Sequence, residues 1–303
     1  MNEAERLQKE RERQDDLAKL RGLRPIDDDF MRCIFRDNIP LAQLVLRIIT
    51  GREGLEVKSV ETQRDMKRLV GARSICLDAY AEDADGQKID LEVQRSDHGA
   101  GKRRARYHSS CMDVENLDAG QDFDELPETY TIFITENDVM GKGEAIYPIE
   151  RVNMATEELF GDGEHILYVN GAYRAESDIG RLMHDFSCSD PNEMHFDLLR
   201  DTARYYKENP KGVDFMCRAF EEVREEANMR GREQKLMEDI KSLMETLKLT
   251  ANQAMDALKV GGRAAEVSGD AVNCSKPGTV CGSMIFQSMR WVLNQQNRIS
   301  DWN

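Results

Sequence analysis

The sequence predicts an α/β (α+β) fold that passes into a helical C-terminal region. Strand-like runs with alternating apolar residues recur between positions 74 and 169, with a helical pattern between them. After Ile179 nearly every apolar residue falls at helical spacing. Strands enclosing a helix, then helices alone, is the element order that this class produces.

Composition narrows the function. The chain has 303 residues, 40% of them hydrophobic, enough to bury a core, so wholesale disorder is not expected. Lys and Arg number 42 against 57 Asp and Glu, a net charge of −15. A protein that coats nucleic acid by charge alone is therefore excluded, and any nucleic-acid role needs a local basic patch or metal ions. No run approaches the roughly 18 apolar residues of a membrane-spanning helix. The first twenty residues have no apolar core and read as no secretory signal. Seven Cys, an odd number with no CxxC pair, point to reduced thiols and a cytoplasmic location.

In chain order, residues 1–24 form a charged tail, about half charged with mixed signs, read as a solvated helix or frayed end. Asp27, Asp28 and Asp29 are able to cap a helix carrying Phe30, Met31, Ile34 and Phe35. A second helix fits Ile39 to Thr50, with Pro40 in its first turn, Gly51 past its end, and Leu41, Leu44, Val45 and Ile48 on one face. Residues 74–94 read as two strands around a turn, and 130–135, 145–152 and 165–169 as further strands. Between them Tyr107, Cys111, Val114 and Leu117 share a helical register. Leu182, Met183 and Phe186, then 196–206, then 215–259, continue as helices. Met216, Phe220 and Val223, then Leu236 to Leu247, make a stripe suited to a core or to a homodimer seam. A T-x-x-Q box at Thr250 starts a short last helix. The divisions expected are 25–210 as the main domain, 211–260 as a helical region, and 261–303 as an atypical tail: an add-on, a disordered end or an out-of-register sequence.

The hairpin is where chemistry concentrates. Side chains alternate faces along a strand. Odd positions read Ile75, Leu77, Ala79, Ala81, Ile89, Leu91 and Val93, all apolar; even positions include Asp78, Tyr80, Asp90, Glu92 and Gln94. A loop Ala84-Asp85-Gly86, with Gly86 in the left-handed position, sets Asp78 opposite Glu92. A tighter Asp85-Gly86 turn would set Asp78 against Val93 instead. Two carboxylates so close repel, and a hard divalent ion between them relieves this: Mg²⁺ takes one or two carboxylates with water and phosphate oxygens. The plainer alternative is that the acids are solvated.

LDAYAEDADGQKIDLEVQR, followed by RRARYHSS and later ELPETYTIFITEND, resembles the PD-(D/E)XK nuclease family transposases, relatives of the recombination-promoting nucleases, from about Pro25 to Ala227. The resemblance implies a restriction-endonuclease-like mixed sheet flanked by helices, cutting DNA with Mg²⁺ or Mn²⁺ in mobile-element recombination. It makes Asp78 and Glu92 the metal-binding acids and puts Gln94 where many of the wider superfamily have Lys. Gln orients by hydrogen bonds but brings no charge. Lys102, Arg103, Arg104 and Arg106, with Tyr107, are the candidates to supply it and to hold the DNA backbone. Asp29 is a further acid placed to complete a metal site. The alternatives from other classes are an inactive DNA-binding or oligomerisation protein on the same fold, and a helical interaction protein. The five His lack metal spacing, His184 reads as packed, and Cys274 and Cys281 are a lone pair unsuited to zinc. There is no phosphate-binding Gly-rich loop.

Overall fold

A computed structural model describes residues 3–66, 75–95 and 97–258. The tail read from Gly261 onward lies outside the described residues. The chain divides into two compact units, residues 1–220 and residues 221–303.

The first unit opens with three helices: α1 (Glu3–Gly22), α2 (Asp28–Phe35) and α3 (Ile39–Thr50). The α3 bounds agree with the sequence reading. Asn38 caps it by accepting from the Leu41 N–H, and Gly51 closes it at φ +67°. Its buried face is Leu41, Ala42, Val45, Leu46 and Ile49, with Leu44 and Ile48 half-buried, so the face is rotated slightly from the one expected.

Three strands follow: β1 (Val57–Asp65), β2 (Cys76–Asp83) and β3 (Lys88–Gln94). Helix α4 (Lys102–Asn116) then leads to β4 (Thr129–Thr135), β5 (Ile146–Ile149), a small hairpin of β6 (Val152–Asn153) and β7 (Glu158–Leu159), and β8 (Glu164–Asn170). The six-stranded sheet runs β1-β2-β3-β4-β8-β5. The β3, β4 and β8 strands are parallel and their flanks antiparallel, so the sheet is mixed, as the resemblance implied. Strand β1 escaped the sequence reading. It is an edge strand, bulged between Val57 and Ser59, with only Val57 and Val60 buried, so it lacks an apolar alternation.

The sheet separates two environments. One face carries Ala79, Ala81, Ile89, Leu91, Val93, Ile132, Ile134 and Val169 into the main core. That core is closed by α2, α3, α5 (Asp178–Ser187), α6 (Asp197–Glu208) and the start of α7 (Pro210–Leu247). Leu20 of α1 and Met216 and Phe220 of α7 belong to it too. The other face is covered by α4 through Ala105 and Met112, which meet Phe133, Tyr168 and Tyr80. Leu77 joins this second side with Met66 and Met112, not the main core as its parity suggested.

In the second unit α7 runs on to Leu247, with Ile240 buried and Leu236, Met237, Leu243 and Met244 half-buried. The expected capping box opens α8 (Ala251–Ala257): the Thr250 N–H donates to Gln253 Oε1 at 2.9 Å, and the Gln253 N–H to Thr250 Oγ1 at 3.3 Å.

The hairpin loop offers a direct check of the register. Gly86 sits at φ +85°, and a Cβ added there would meet nothing within 4 Å. The cost of Gly86→Ala is therefore the left-handed backbone alone, about 1–2 kcal/mol. Urea denaturation should show that loss with an unchanged slope; an unchanged midpoint would mean that Gly86 does not hold the turn.

Candidate active site

The β2–β3 hairpin pairs Glu82 with Lys88, Ala81 with Ile89, Tyr80 with Asp90 and Ala79 with Leu91. This is the register of the Ala84-Asp85-Gly86 loop, closed by the Asp83 N–H donating to the Gln87 carbonyl. The next pair would be Asp78 and Glu92, and there the ladder stops. Strand β2 continues along β1 to Cys76, while β3 continues along β4 to Gln94, paired with Thr135. The strands have parted, and each acid fills the gap with its side chain. The Asp78 N–H donates to Glu92 Oε1 at 3.0 Å, and the Val93 N–H donates to Asp78 Oδ2 at 3.2 Å. Across β2 from this point, Gln63 of β1 takes φ +58°. Backbone amides that a regular sheet would pair are thus bonded to carboxylates.

The acids are buried, not solvated: Asp78 is 8% exposed, and Asp90 and Glu92 are 0%. One oxygen of each opposed acid remains for other partners. Glu92 Oε2 meets Arg104 Nη2 at 3.1 Å and Gln94 Nε2 at 3.5 Å, and Asp78 Oδ1 lies 3.8 Å from Arg32 Nη2. Arg32 also binds Asp28 Oδ2 at 2.8 Å. Behind Glu92, His108 Nδ1 lies 3.1 Å from Asp90 Oδ2. His108 Nε2 accepts from Arg104 Nε at 3.2 Å, which makes Nδ1 the protonated nitrogen and Asp90 its acceptor. The other oxygen, Asp90 Oδ1, is buried with no hydrogen-bond partner. Asp90, Glu92 and His108 offer one ligand atom each within 4.8 Å of one another.

Burial dominates the electrostatics. It pushes Asp78 up to about 7, helped by the charges of Glu92 and Asp28 and opposed by the Val93 amide and Arg32. It pushes Glu92 up to about 7 as well, with Asp90 adding and His108 and Arg104 opposing. Asp90 is raised well above the carboxylate range for the same reason. Burial also lowers His108, keeping it neutral as its bond from Arg104 requires.

Of the residues expected at the site, Asp78, Glu92, Gln94 and Arg104 converge. Lys102, Arg103, Arg106 and Tyr107 stay exposed on α4. Asp29 turns away to Lys19 Nζ at 2.7 Å; the acid of α2 that faces Asp78 is its neighbour Asp28. The sequence reading names Asp28 as a helix cap and Asp90 as an acid of the even face, but gives neither of them, nor Arg32 or His108, a place at the site. The usable signals were the even parity of Asp90 and the i,i+4 spacings Asp28–Arg32 and Arg104–His108. The buried face of α4 is not the one that carries the register Tyr107, Cys111, Val114 and Leu117. Its buried residues are Ala105, His108, Ser109 and Met112, whereas Val114 is exposed, because the sheet face beneath is polar.

A carboxyl raised in the folded state holds its proton better there than in the unfolded chain. The resulting stability is present below about 4 and is lost as pH rises through about 7. Asp78→Asn keeps an acceptor for the Val93 amide and removes one of the opposed charges. Without divalent ions it should stabilise the protein by on the order of 1–3 kcal/mol at pH 8 and little at pH 4.5, read by urea denaturation. An equal effect at both values would show that the repulsion is not there.

The family model described as PD-(D/E)XK nuclease family transposase matches residues 46–173. No curated protein and no solved structure matches the chain. No described helix is long and apolar enough to cross a membrane. The split hairpin, α4 and the parallel strands all lie inside the matched segment, and over that segment the chain is similar to the PD-(D/E)XK nuclease family transposases.

Proposed function

We propose that this domain is a Mg²⁺- or Mn²⁺-dependent DNA endonuclease that hydrolyses phosphodiester bonds, with mobile-element recombination as its setting. The observation that carries the reading is the pair of opposed, buried carboxylates at the parting of β2 and β3. Their donor set suits a hard cation: Asp78 Oδ1 and Glu92 Oε2 are the oxygens not bonded to backbone amides. The Asp90 Oδ1 beside them is buried with no hydrogen-bond partner. When bound, such an ion polarises a phosphate oxygen and makes a water more acidic.

The chain's own groups do the rest. Asp78 and Glu92 would hold the ion, and their bonds to backbone amides fix both carboxylates. Gln94, half-buried next to Glu92, orients the water or phosphate by hydrogen bonds. Arg104 supplies the positive charge that Gln94 lacks. It is held in place by His108, itself oriented by Asp90. Lys102, Arg103, Arg106 and Tyr107 lie on the exposed side of the same helix, suited to the DNA backbone. The half-buried stripe of α7 is the surface we assign to a homodimer.

One observation favours the inactive alternative: Arg104 already neutralises Glu92. Plasmid cleavage separates the two. Asp78→Ala should abolish Mg²⁺-dependent nicking while DNA affinity is kept or improved, since a charge that repels phosphate is gone. Gln94→Lys should keep or raise the rate. Arg103→Ala should weaken DNA binding and shallow its salt dependence by about one counterion, and Arg104→Ala should in addition slow cleavage of bound DNA. Wild-type cleavage by Asp78→Ala would remove the hairpin from the chemistry and leave the non-catalytic reading.

A further inference from the structure

A second constellation lies against the main core, across the sheet from the acids under α4. Asp185, near the end of α5, is fully buried. Its Oδ2 accepts from the His195 and Phe196 N–H groups at 2.9 Å each, the His195 N–H being shared with Oδ1 at 2.9 Å, which fastens the start of α6. Its Oδ1 faces two imidazoles, His184 Nδ1 at 3.1 Å and His195 Nδ1 at 2.9 Å. The two rings stand edge to face with centroids 4.6 Å apart. One ligand atom from each of the three residues lies within 4.8 Å of the others. Both rings line an open pocket of about 760 Å³, together with Arg174, Glu176 and Arg181. His184 is therefore not simply packed, as its sequence context suggested: its side chain is 36% exposed, and that of His195 44%.

We propose that His184, Asp185 and His195 bind a divalent ion of borderline softness, of which Zn²⁺ is the type. Two imidazole nitrogens and one carboxylate are a donor set for such ions, whereas Mg²⁺ prefers oxygen alone, so this site and the hairpin select different metals. Separations of 2.9 and 3.1 Å are those of ligands at about 2.0–2.2 Å from one ion, opened by roughly 90–100°. Both rings open onto the pocket, whose lining also carries Arg174, Arg181 and Glu176. A cap for α6 alone would need only the backbone bonds to Asp185. Two imidazole N–H groups donating to Asp185 would meet Oδ1 at the same separations, and the two arrangements differ in whether a metal binds. The site does not depend on the nuclease reading.

The test uses the full-length, tag-free chain, stripped of metal and titrated with Zn²⁺ and Co²⁺. One Zn²⁺ should be lost in His184→Gln/His195→Gln, whose amides can still donate to Asp185, and kept in Asp78→Asn/Glu92→Gln. The loss of affinity should exceed the roughly 10–100-fold that removal of an orienting partner causes. Zinc-edge absorption of the wild type should show a nitrogen/oxygen shell with scattering from two imidazoles, a readout that holds even if the double variant fails to fold. Equal Zn²⁺ stoichiometry in wild type and His184→Gln/His195→Gln, no Zn²⁺ bound by the wild type, or a shell of sulfur without imidazole scattering would each overturn the proposal.

Discussion

Everything at the hairpin depends on one substitution of hydrogen-bond partners. Where β2 and β3 part, their amides would otherwise be left buried without acceptors, each at a cost of about 1–3 kcal/mol. The carboxylates of Glu92 and Asp78 take those amides instead. The bonds are reciprocal, so neither acid is free to swing, and the parting of the strands and the placing of the acids are the same event. A charged acceptor is the stronger partner for an amide, but here it comes in a pair with like charge and almost no water. The burden shows in the carboxyls themselves, both raised to about 7. A fold selected for stability alone would place apolar residues at such a junction and continue the ladder. Two opposed acids at that junction cost stability that apolar residues would not.

That choice propagates into α4. A helix lying over a sheet face with Asp90 and Glu92 cannot present only aliphatic side chains to it, since unpaired buried acids would be left behind. It presents His108 and Ser109 between Ala105 and Met112. Ser109 in turn bonds Glu164 of β8, and Thr131 of β4 donates to Met112 Sδ at 3.7 Å. The opposite face, under α2, α3 and α5, is apolar almost throughout. The sheet is thus divided between a side that supplies stability and a side that holds charge.

This division explains what could be read from the sequence. The hairpin register followed from local facts, the parity of apolar residues and a Gly at the left-handed loop position, and the structure has that register. The α3 bounds and the Thr250 box were equally local. What escaped were features set by contacts far apart in the chain. Strand β1 has neighbours on one side only, so it carries no apolar alternation. The helical register of Tyr107, Cys111, Val114 and Leu117 does not mark the buried face of α4, because a helix that covers carboxylates turns polar residues inward. His108 and Asp90 are 18 residues apart and meet only after β3 pairs with β4 and α4 folds back over both. Asp28 and Asp29 are indistinguishable as a sequence; which one faces Asp78 depends on Lys19 taking the other.

Arg104 shows how such a fold can move a charge from a strand to a helix. At position 94 a Lys would extend from β3 directly beside Glu92; Gln94 leaves that place polar and uncharged. Arg104 reaches the same carboxylate oxygen from the first turn of α4, with its Nε held by His108. The exchange is not neutral in chemistry. A Lys in a dry, charged site is able to release its proton and take part in proton transfer, whereas a guanidinium stays charged at any pH the protein survives. Arg104 is therefore confined to electrostatic stabilisation of the carboxylate beside it. The carboxyls of Asp78 and Glu92, raised to about 7, are able to exchange protons at neutral pH, and a bound cation would drive them to the ionised form.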